Sequence, residues 1–374
     1  MLKIQEFILA HENWRELLAT APYNLKISED DGFVLFKYNQ ISSDFSEEIC
    51  NEARGLILDM RDNFKVVRFA FKKFFNLGEQ FAANIDWGTA VANEKIDGSI
   101  ISVWFARGEW HLSTNGTIDG FKANLSDSTV YQNFGELFES VMPLCMFKGN
   151  HWENLCFTFE LVSPFNKVVI TYPETQVYLL TVRNMDTLEE ISYDRLSVWA
   201  KELGVPYPKF YYMNDEIGFR NVVAAMGEGH EGIVVRDQFN NRVKIKTTLY
   251  FELHRAANNG VMTTERLVQL VLDNDYEEFL CYFPEYKDKI EKIKREIEFL
   301  KETADYNDKR EYKKQYNFYS DRVARKKFAE EVALPAGKAL QALLFKAYDT
   351  NNSLGWVSSW DAKQWANYID RLLK

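Results

Sequence analysis

The chain has 374 residues, too many for one compact module of ordinary size, so two domains are expected. Its 45 Lys/Arg against 55 Asp/Glu leave a net charge of −10, which argues against a uniformly basic nucleic-acid coat protein. Four scattered cysteines, Cys50, Cys145, Cys156 and Cys281, offer neither a disulfide framework nor paired metal-ligand spacing.

In chain order, Met1 to Ala19 alternates apolar and charged residues at helical spacing, with Ile4, Phe7, Ile8, Trp14, Leu17 and Leu18 on one face. That stretch resembles neither a signal peptide nor a membrane span, so the expected location is the cytoplasm. Short β-rich runs follow at 32–38, 55–59, 66–71, 100–105, 177–182 and 232–235, separated by turns. Near residue 250 the pattern changes. Helical periodicity covers 265–273, 286–303, 308–328, 336–348 and 362–373, punctuated by Asn258-Asn259-Gly260, Leu334-Pro335-Ala336-Gly337 and Asn351-Asn352-Ser353. The expected organisation is a β-rich domain over 1–249 and an all-helical domain over 250–374.

The chemistry is carried by an ordered set. Lys95-Ile96-Asp97-Gly98 is followed far downstream by Glu231-Gly232-Ile233-Val234-Val235 and Val243-Lys244-Ile245-Lys246. Alone, the first four residues also read as a surface Asp-Gly turn after a solvated lysine. Lys244 and Lys246 stand two apart on a strand-like run and share a face. If that face looks toward Lys95, two cations would favour its neutral, nucleophilic form and hold a triphosphate. Gly98 would let backbone approach the nucleotide, and Asp97 would tie down the turn. Glu231, which runs straight into an apolar strand, is preferred over Glu228 as the carboxylate.

Upstream stand Phe36-Lys37-Tyr38-Asn39, Glu52-Ala53-Arg54-Gly55-Leu56-Ile57 and Lys73-Phe74-Phe75-Asn76-Leu77; between the main motifs lies Phe157-Thr158-Phe159-Glu160-Leu161-Val162, then Ser163-Pro164-Phe165-Asn166-Lys167-Val168-Val169. Arg54 also reads as a cross-strand charge partner, and the Phe74–Phe75 pair as core with one ring inward. Glu160, set in an apolar run, needs a partner.

With these residues the chain resembles the covalent nucleotidyltransferases, and within them the phage-type RNA ligase 1 family, over about residues 30 to 255. The resemblance implies an α+β, ATP-grasp-like nucleotidyltransferase (ligase) domain with antiparallel sheets, followed by a helical C-terminal domain in place of a small β-barrel. It implies that Lys95 is adenylylated from ATP, the catalytic set being Lys95, Glu231, Lys244 and Lys246. ATP contacts would come from Tyr38, Arg54, Lys73, Phe75, Gly98 and Glu160 as well as Lys95, Lys244 and Lys246, with Asp97 and Tyr250 as further members. Mg2+ would be held through water by Glu231 and Glu160. The implied reaction seals RNA 5′-phosphate and 3′-hydroxyl ends through a lysyl-adenylate and an RNA-adenylate, on single-stranded ends or tRNA loop breaks. Relatives often carry a lysine where this chain has Asn115, which leaves a cationic role for Ser113-Thr114-Asn115-Gly116-Thr117 without support. A capping-type guanylyltransferase, a DNA ligase and a non-enzymatic RNA-binding protein stand as alternatives.

The segment 287–327 carries 14 Lys/Arg against 9 Asp/Glu, with Tyr306, Tyr312, Tyr316, Phe318 and Tyr319 interspersed. These rings read equally as bases' stacking partners and as the buried stripe of a charged helix.

Overall fold

The computed structural model describes all residues except 41, 126–127, 129, 150, 167, 228, 248–262, 274–275, 283, 318 and 373–374. The chain divides into two compact units, Met1–Asn258 and Asn259–Lys374. No helix among the described residues is long and apolar enough to cross a membrane.

Three sheets build the first unit. Strands β1 (Lys26–Asp30), β2 (Phe33–Lys37), β3 (Arg54–Asp59) and β4 (Lys65–Arg68) form an antiparallel meander. Phe33, Val34, Leu35 and Phe36 are all buried, because the meander is covered on both faces. Trp14 packs on Phe36 from the N-terminal helices, and Trp104 of the second sheet meets Phe33. The expected single N-terminal helix is two, Lys3–Ala10 and Trp14–Ala19, which still bury Ile4, Ile8, Trp14 and Leu18. The run at 66–71 stops being strand at Arg68, where the Arg183 guanidinium takes the Phe69 and Ala70 carbonyls.

The remaining strands are β5 (Phe75–Asn76), β6 (Val91–Lys95), β7 (Ser99–Ala106), β8 (Glu109–Thr114), β9 (Leu155–Val162), β10 (Gln176–Asn184), β11 (Phe210–Tyr212), β12 (Gly232–Arg236) and β13 (Arg242–Lys246). The second sheet runs β10-β9-β7-β8 and is antiparallel throughout. Period-two alternation divides β9: Phe157, Phe159 and Leu161 enter an apolar core with Leu137 and Leu196, whereas Cys156, Thr158 and Glu160 face the other way. The third sheet runs β11-β6-β12-β13-β5. It departs from the all-antiparallel expectation at its edge, where β5 pairs parallel to β13.

The second unit is helical among its described residues. Thr264–Leu272, Lys287–Lys309, Lys338–Thr350 and Ala362–Leu372 are its longer helices, around a core that includes Leu267, Ile297, Phe328 and Trp365. The helix expected over 308–328 is instead two, Tyr312–Gln315 and Asp321–Phe328. Glu311 adopts a left-handed conformation (φ 47°), and the chain folds back so that Tyr312 and Tyr316 pack on Phe328. Asp308, in the last turn of Lys287–Lys309, accepts from the Ser353 and Leu354 N–H groups at 2.8 and 2.9 Å, satisfying donors at the start of Ser353–Ser358.

Candidate active site

Strand register places the nucleophile candidate. Gly232 of β12 lies opposite Lys95 of β6 on one side and Lys246 of β13 on the other. The glycine leaves no side chain between the two lysines. Its φ of 147° lies in the region that disfavours side chains, and a Cβ there would come within 2.1 Å of the Ile245 carbonyl oxygen. Glu231, one residue earlier, fills that space from the strand end: Lys95 Nζ donates to its Oε2 at 2.6 Å, and Lys246 Nζ stands 3.3 Å from its Oε1. Lys244 shares the face of Lys246 by the same alternation, while Val243 and Ile245 enter the core beneath.

Glu231 is 2 % exposed. Burial alone would push its carboxyl up, but the ammonium groups of Lys95, Lys246 and Lys244 overcome this and hold it below the ordinary range. The two cations expected to neutralise Lys95 therefore face it across a carboxylate, and Lys95 rests in an ion pair.

Lys95 opens on a cleft of about 270 Å3. Arg54, Gly98, Asn115 and Glu160 line its polar part, and Phe71, Phe74, Ile100, Leu180 and Val234 its apolar walls. Arg54 lies 4.8 Å over the Phe74 ring, and its buried Nη1 has no hydrogen-bond partner among the described residues. A buried guanidinium donor without an acceptor, in the same cleft as Lys95, suits an anionic ligand. Gly98 makes room for protein rather than only for ligand, since a Cβ would come within 2.4 Å of the Leu161 carbonyl of β9. Asp97 ties down more than its own turn: its Oδ2 accepts from the Val169 and Ile170 N–H groups at 2.8 and 2.6 Å, fastening the segment after β9 to the lysine motif.

Glu160 faces the cleft because it lies on the Thr158 face of β9. Burial pushes its carboxyl up to about 7, Glu231 adds to the rise, and Lys95 and Arg54 oppose it. A folded-state value above the ordinary 4.5 means that stability present in acid is lost as the pH rises through about 7. The Glu160→Gln protein should escape that loss. Its melting temperature should match wild type near pH 4 and exceed it above about pH 8, by up to ~3 kcal/mol of stability, and parallel pH curves would refute the assignment.

Three expected nucleotide contacts lie elsewhere. Lys73 Nζ stands 4.8 Å from the Tyr38 ring centroid and 5.2 Å from that of Phe75, in an aromatic cage completed by Phe45. Phe75 is buried against the Phe45 and Phe81 rings, in the core beneath the first sheet; Phe74, one residue earlier, lines the cleft in its place. Lys73 instead lines a neighbouring cavity of about 600 Å3, which shares Phe74 and Arg242 with the Lys95 cleft. Tyr250 and Glu228 lie outside the described residues.

Other groups at the cleft were not anticipated. Arg68 is wholly buried and donates to Asn115 Oδ1 at 2.7 Å, Ser102 Oγ at 3.1 Å and the Arg54 carbonyl at 3.2 Å, so a cation does reach the Asn115 segment, from β4. Burial lowers its guanidinium to about 10, still charged at neutral pH. Asn93 and Arg242 line the cleft, two residues before Lys95 and Lys244 on the same strand faces, and Tyr193 joins them. Period-two alternation alone would have found the first two.

A family model described as RNA ligase matches residues 52–252, more than half of the chain. The protein belongs to the RNA ligase family. The resemblance read from the motifs is borne out, as is the α+β fold class. A baculovirus protein (Autographa californica nuclear polyhedrosis virus) named "Putative bifunctional polynucleotide kinase/RNA ligase" is 28% identical over 302 residues, covering 75% of this chain and 42% of that protein. The chain thus spans less than half of that relative's length. The RNA ligase of Rhodothermus phage RM378 is 26% identical over 320 residues, covering 70% of this chain and 72% of the phage protein. Among solved structures, an archaeal ATP-dependent RNA ligase has 14% identity and a TM-score of 0.46, covering 94% of this chain and 80% of that one.

In the helical unit, the aromatic residues between 306 and 319 divide between both readings. Tyr312 is core, whereas Tyr306 and Tyr319 are 58% and 43% exposed, with Arg310 and Lys327 over their rings.

Proposed function

We propose that this RNA ligase family member joins RNA 5′-phosphate and 3′-hydroxyl ends at the expense of ATP, with Lys95 as the adenylylated nucleophile. The observation that carries the reading is Lys95, ion-paired to a buried Glu231 shared with Lys246, at the mouth of a cleft containing the partnerless Arg54 donor. Lys95 must shed a proton before it attacks, and Glu231 Oε2 at 2.6 Å is in reach to receive it. The amine then forms a bond to the α-phosphorus of ATP as the bond to the bridging oxygen of pyrophosphate breaks. Arg54, Lys244 and Lys246 offset the charge on the phosphoryl oxygens. The adenylate passes to the RNA 5′-phosphate, and the 3′-hydroxyl displaces AMP.

Among the described residues no group of three His, Cys, Asp or Glu is placed to cage a metal. Glu231 and Glu160, close enough to influence one another's protonation, fit instead an Mg2+ ion held by one or two carboxylates through water and by phosphate oxygens. That ion, when bound, neutralises the triphosphate and eases departure of pyrophosphate.

Residues 1–249 are read as the adenylyltransferase domain and 250–374 as a helical domain. The substrates are read as single-stranded ends or broken tRNA loops, met in the cytoplasm of a bacterial cell, and the phage relative supports that setting.

The test is incubation of the protein with α-labelled ATP, and separately α-labelled GTP, in Mg2+, followed by a denaturing gel. Label retained from ATP is expected. Label from GTP alone would move the reading to capping chemistry, and none from either would favour a binding protein.

A further inference from the structure

Among the side chains lining the Lys95 cleft is an amide whose orientation is set from behind. Asn93 is 8% exposed, lies two residues before Lys95 on β6 and therefore shares its strand face, about 7 Å along the chain. Its Oδ1 accepts the Tyr193 hydroxyl proton at 2.9 Å, and its Nδ2 donates toward the Glu94 carbonyl at 3.4 Å.

Tyr193 has no choice of direction. Glu190, fully enclosed, holds three guanidinium groups: Arg183 Nη2 at 2.9 Å, Arg236 Nη1 at 3.3 Å, and Arg242. One carboxylate cannot use all of their donors, and arginine has no acceptor to offer. Arg242 lines the cleft beside Tyr193, the Arg236 guanidinium lies 4.8 Å over its ring, and both positive charges act on its hydroxyl. A hydroxyl beside arginines, which have donors and no acceptor, turns its oxygen toward them and its proton toward Asn93. The amide cannot flip without setting its NH2 group against that proton.

For a purine this fixed direction discriminates. Adenine presents a donor at N6 beside an acceptor at N1, whereas guanine presents an acceptor at O6 beside a donor at N1. An amide pairs with one of these edges in one orientation and with the other only after flipping. The carbonyl oxygen has a second lone pair for N6–H, and Nδ2 has a second hydrogen for N1.

We propose, on the covalent-nucleotide reading above, that Asn93 selects the nucleobase and that Tyr193, held by the Glu190–arginine cluster, is the positioning residue that sets it for adenine and against guanine. Phe71, Phe74 and Val234 supply the apolar walls for the ring.

The experiment measures protein labelling from α-labelled ATP, GTP and inosine triphosphate in wild type, Tyr193→Phe and Asn93→Ala. Inosine has guanine's O6 and N1–H without the 2-amino group, so it isolates the edge that Asn93 reads. Wild type should take ATP and reject GTP and inosine triphosphate alike, and each variant should lose about tenfold or more of the ATP-to-inosine preference. A merely structural role would lower all three labels together. Wild type that accepts inosine triphosphate as well as ATP overturns the proposal without any variant. So does either variant if it melts like wild type and keeps the full preference. Absence of label on wild type from every nucleotide would instead overturn the covalent-nucleotide reading, and this inference with it.

Discussion

Lys95→Ala should take no label from ATP, yet should still join a pre-adenylylated RNA to a 3′-hydroxyl end. On the proposed mechanism the nucleophile is needed only to make the activated phosphate; the later displacement would use the adenylate already on the RNA, with Arg54, Lys244 and Lys246 left to grip phosphate oxygens. The expected effect on the first step is total, because the other ammonium on Glu231 among the described residues, that of Lys246, is across Gly232 on the far carboxylate oxygen. A labelled Lys95→Ala protein would show that the nucleophile has been misassigned. Failure on pre-adenylylated RNA as well, in a protein that melts normally, would place Lys95 in the sealing step too. Lys246→Ala should differ from both, charging Lys95 poorly while keeping RNA affinity.

Glu231→Gln should lower both stability and labelling. The carboxylate is 2 % exposed and lies between two ammonium groups, so its removal leaves two partly buried cations facing each other across a glycine. Breaking a buried ion pair from one side costs about 3 kcal/mol, which for a unit of this size lowers Tm by about 5–10 °C. Lys246→Met added to Glu231→Gln should recover part of that loss by removing one cation, whereas in the wild-type background it should only destabilise. That reversal of sign is the signature of coupling in a double-mutant cycle. Additive effects, or an unchanged Tm in Glu231→Gln, would mean that the carboxylate does not hold the two lysines.

Much of this site was legible because it sits on strands. Alternation placed Lys244 and Lys246 together, and the apolar run after Glu231 distinguished that residue from Glu228. Other parts depended on pairing, which a single sequence does not display. Phe75 was expected in the nucleotide cleft, but it packs on Phe45, distant in sequence, and on Phe81, beyond the end of its own strand, and leaves Phe74 to the cleft. The ion pair of Lys95 needed the register of three strands to become visible. Glu190 was silent for a different reason: its three arginines come from three strands, and only the fold brings them to one carboxylate. In the helical unit, tyrosines four apart looked like one helix face, but a left-handed Glu311 folds them back onto Phe328.

The pairing of Lys95 with Glu231 also bears on what the protein does between turnovers. An ammonium has no lone pair, so a nucleophile kept in that form is closed to acyl donors, aldehydes and other stray electrophiles. Burial of the carboxylate makes this protection persist at ionic strengths that would screen an exposed pair. Latency is thus built into the resting fold. Reactivity arrives with the ligand whose charges can compete for the same three side chains, and a nucleotide meets that requirement where a small neutral electrophile does not.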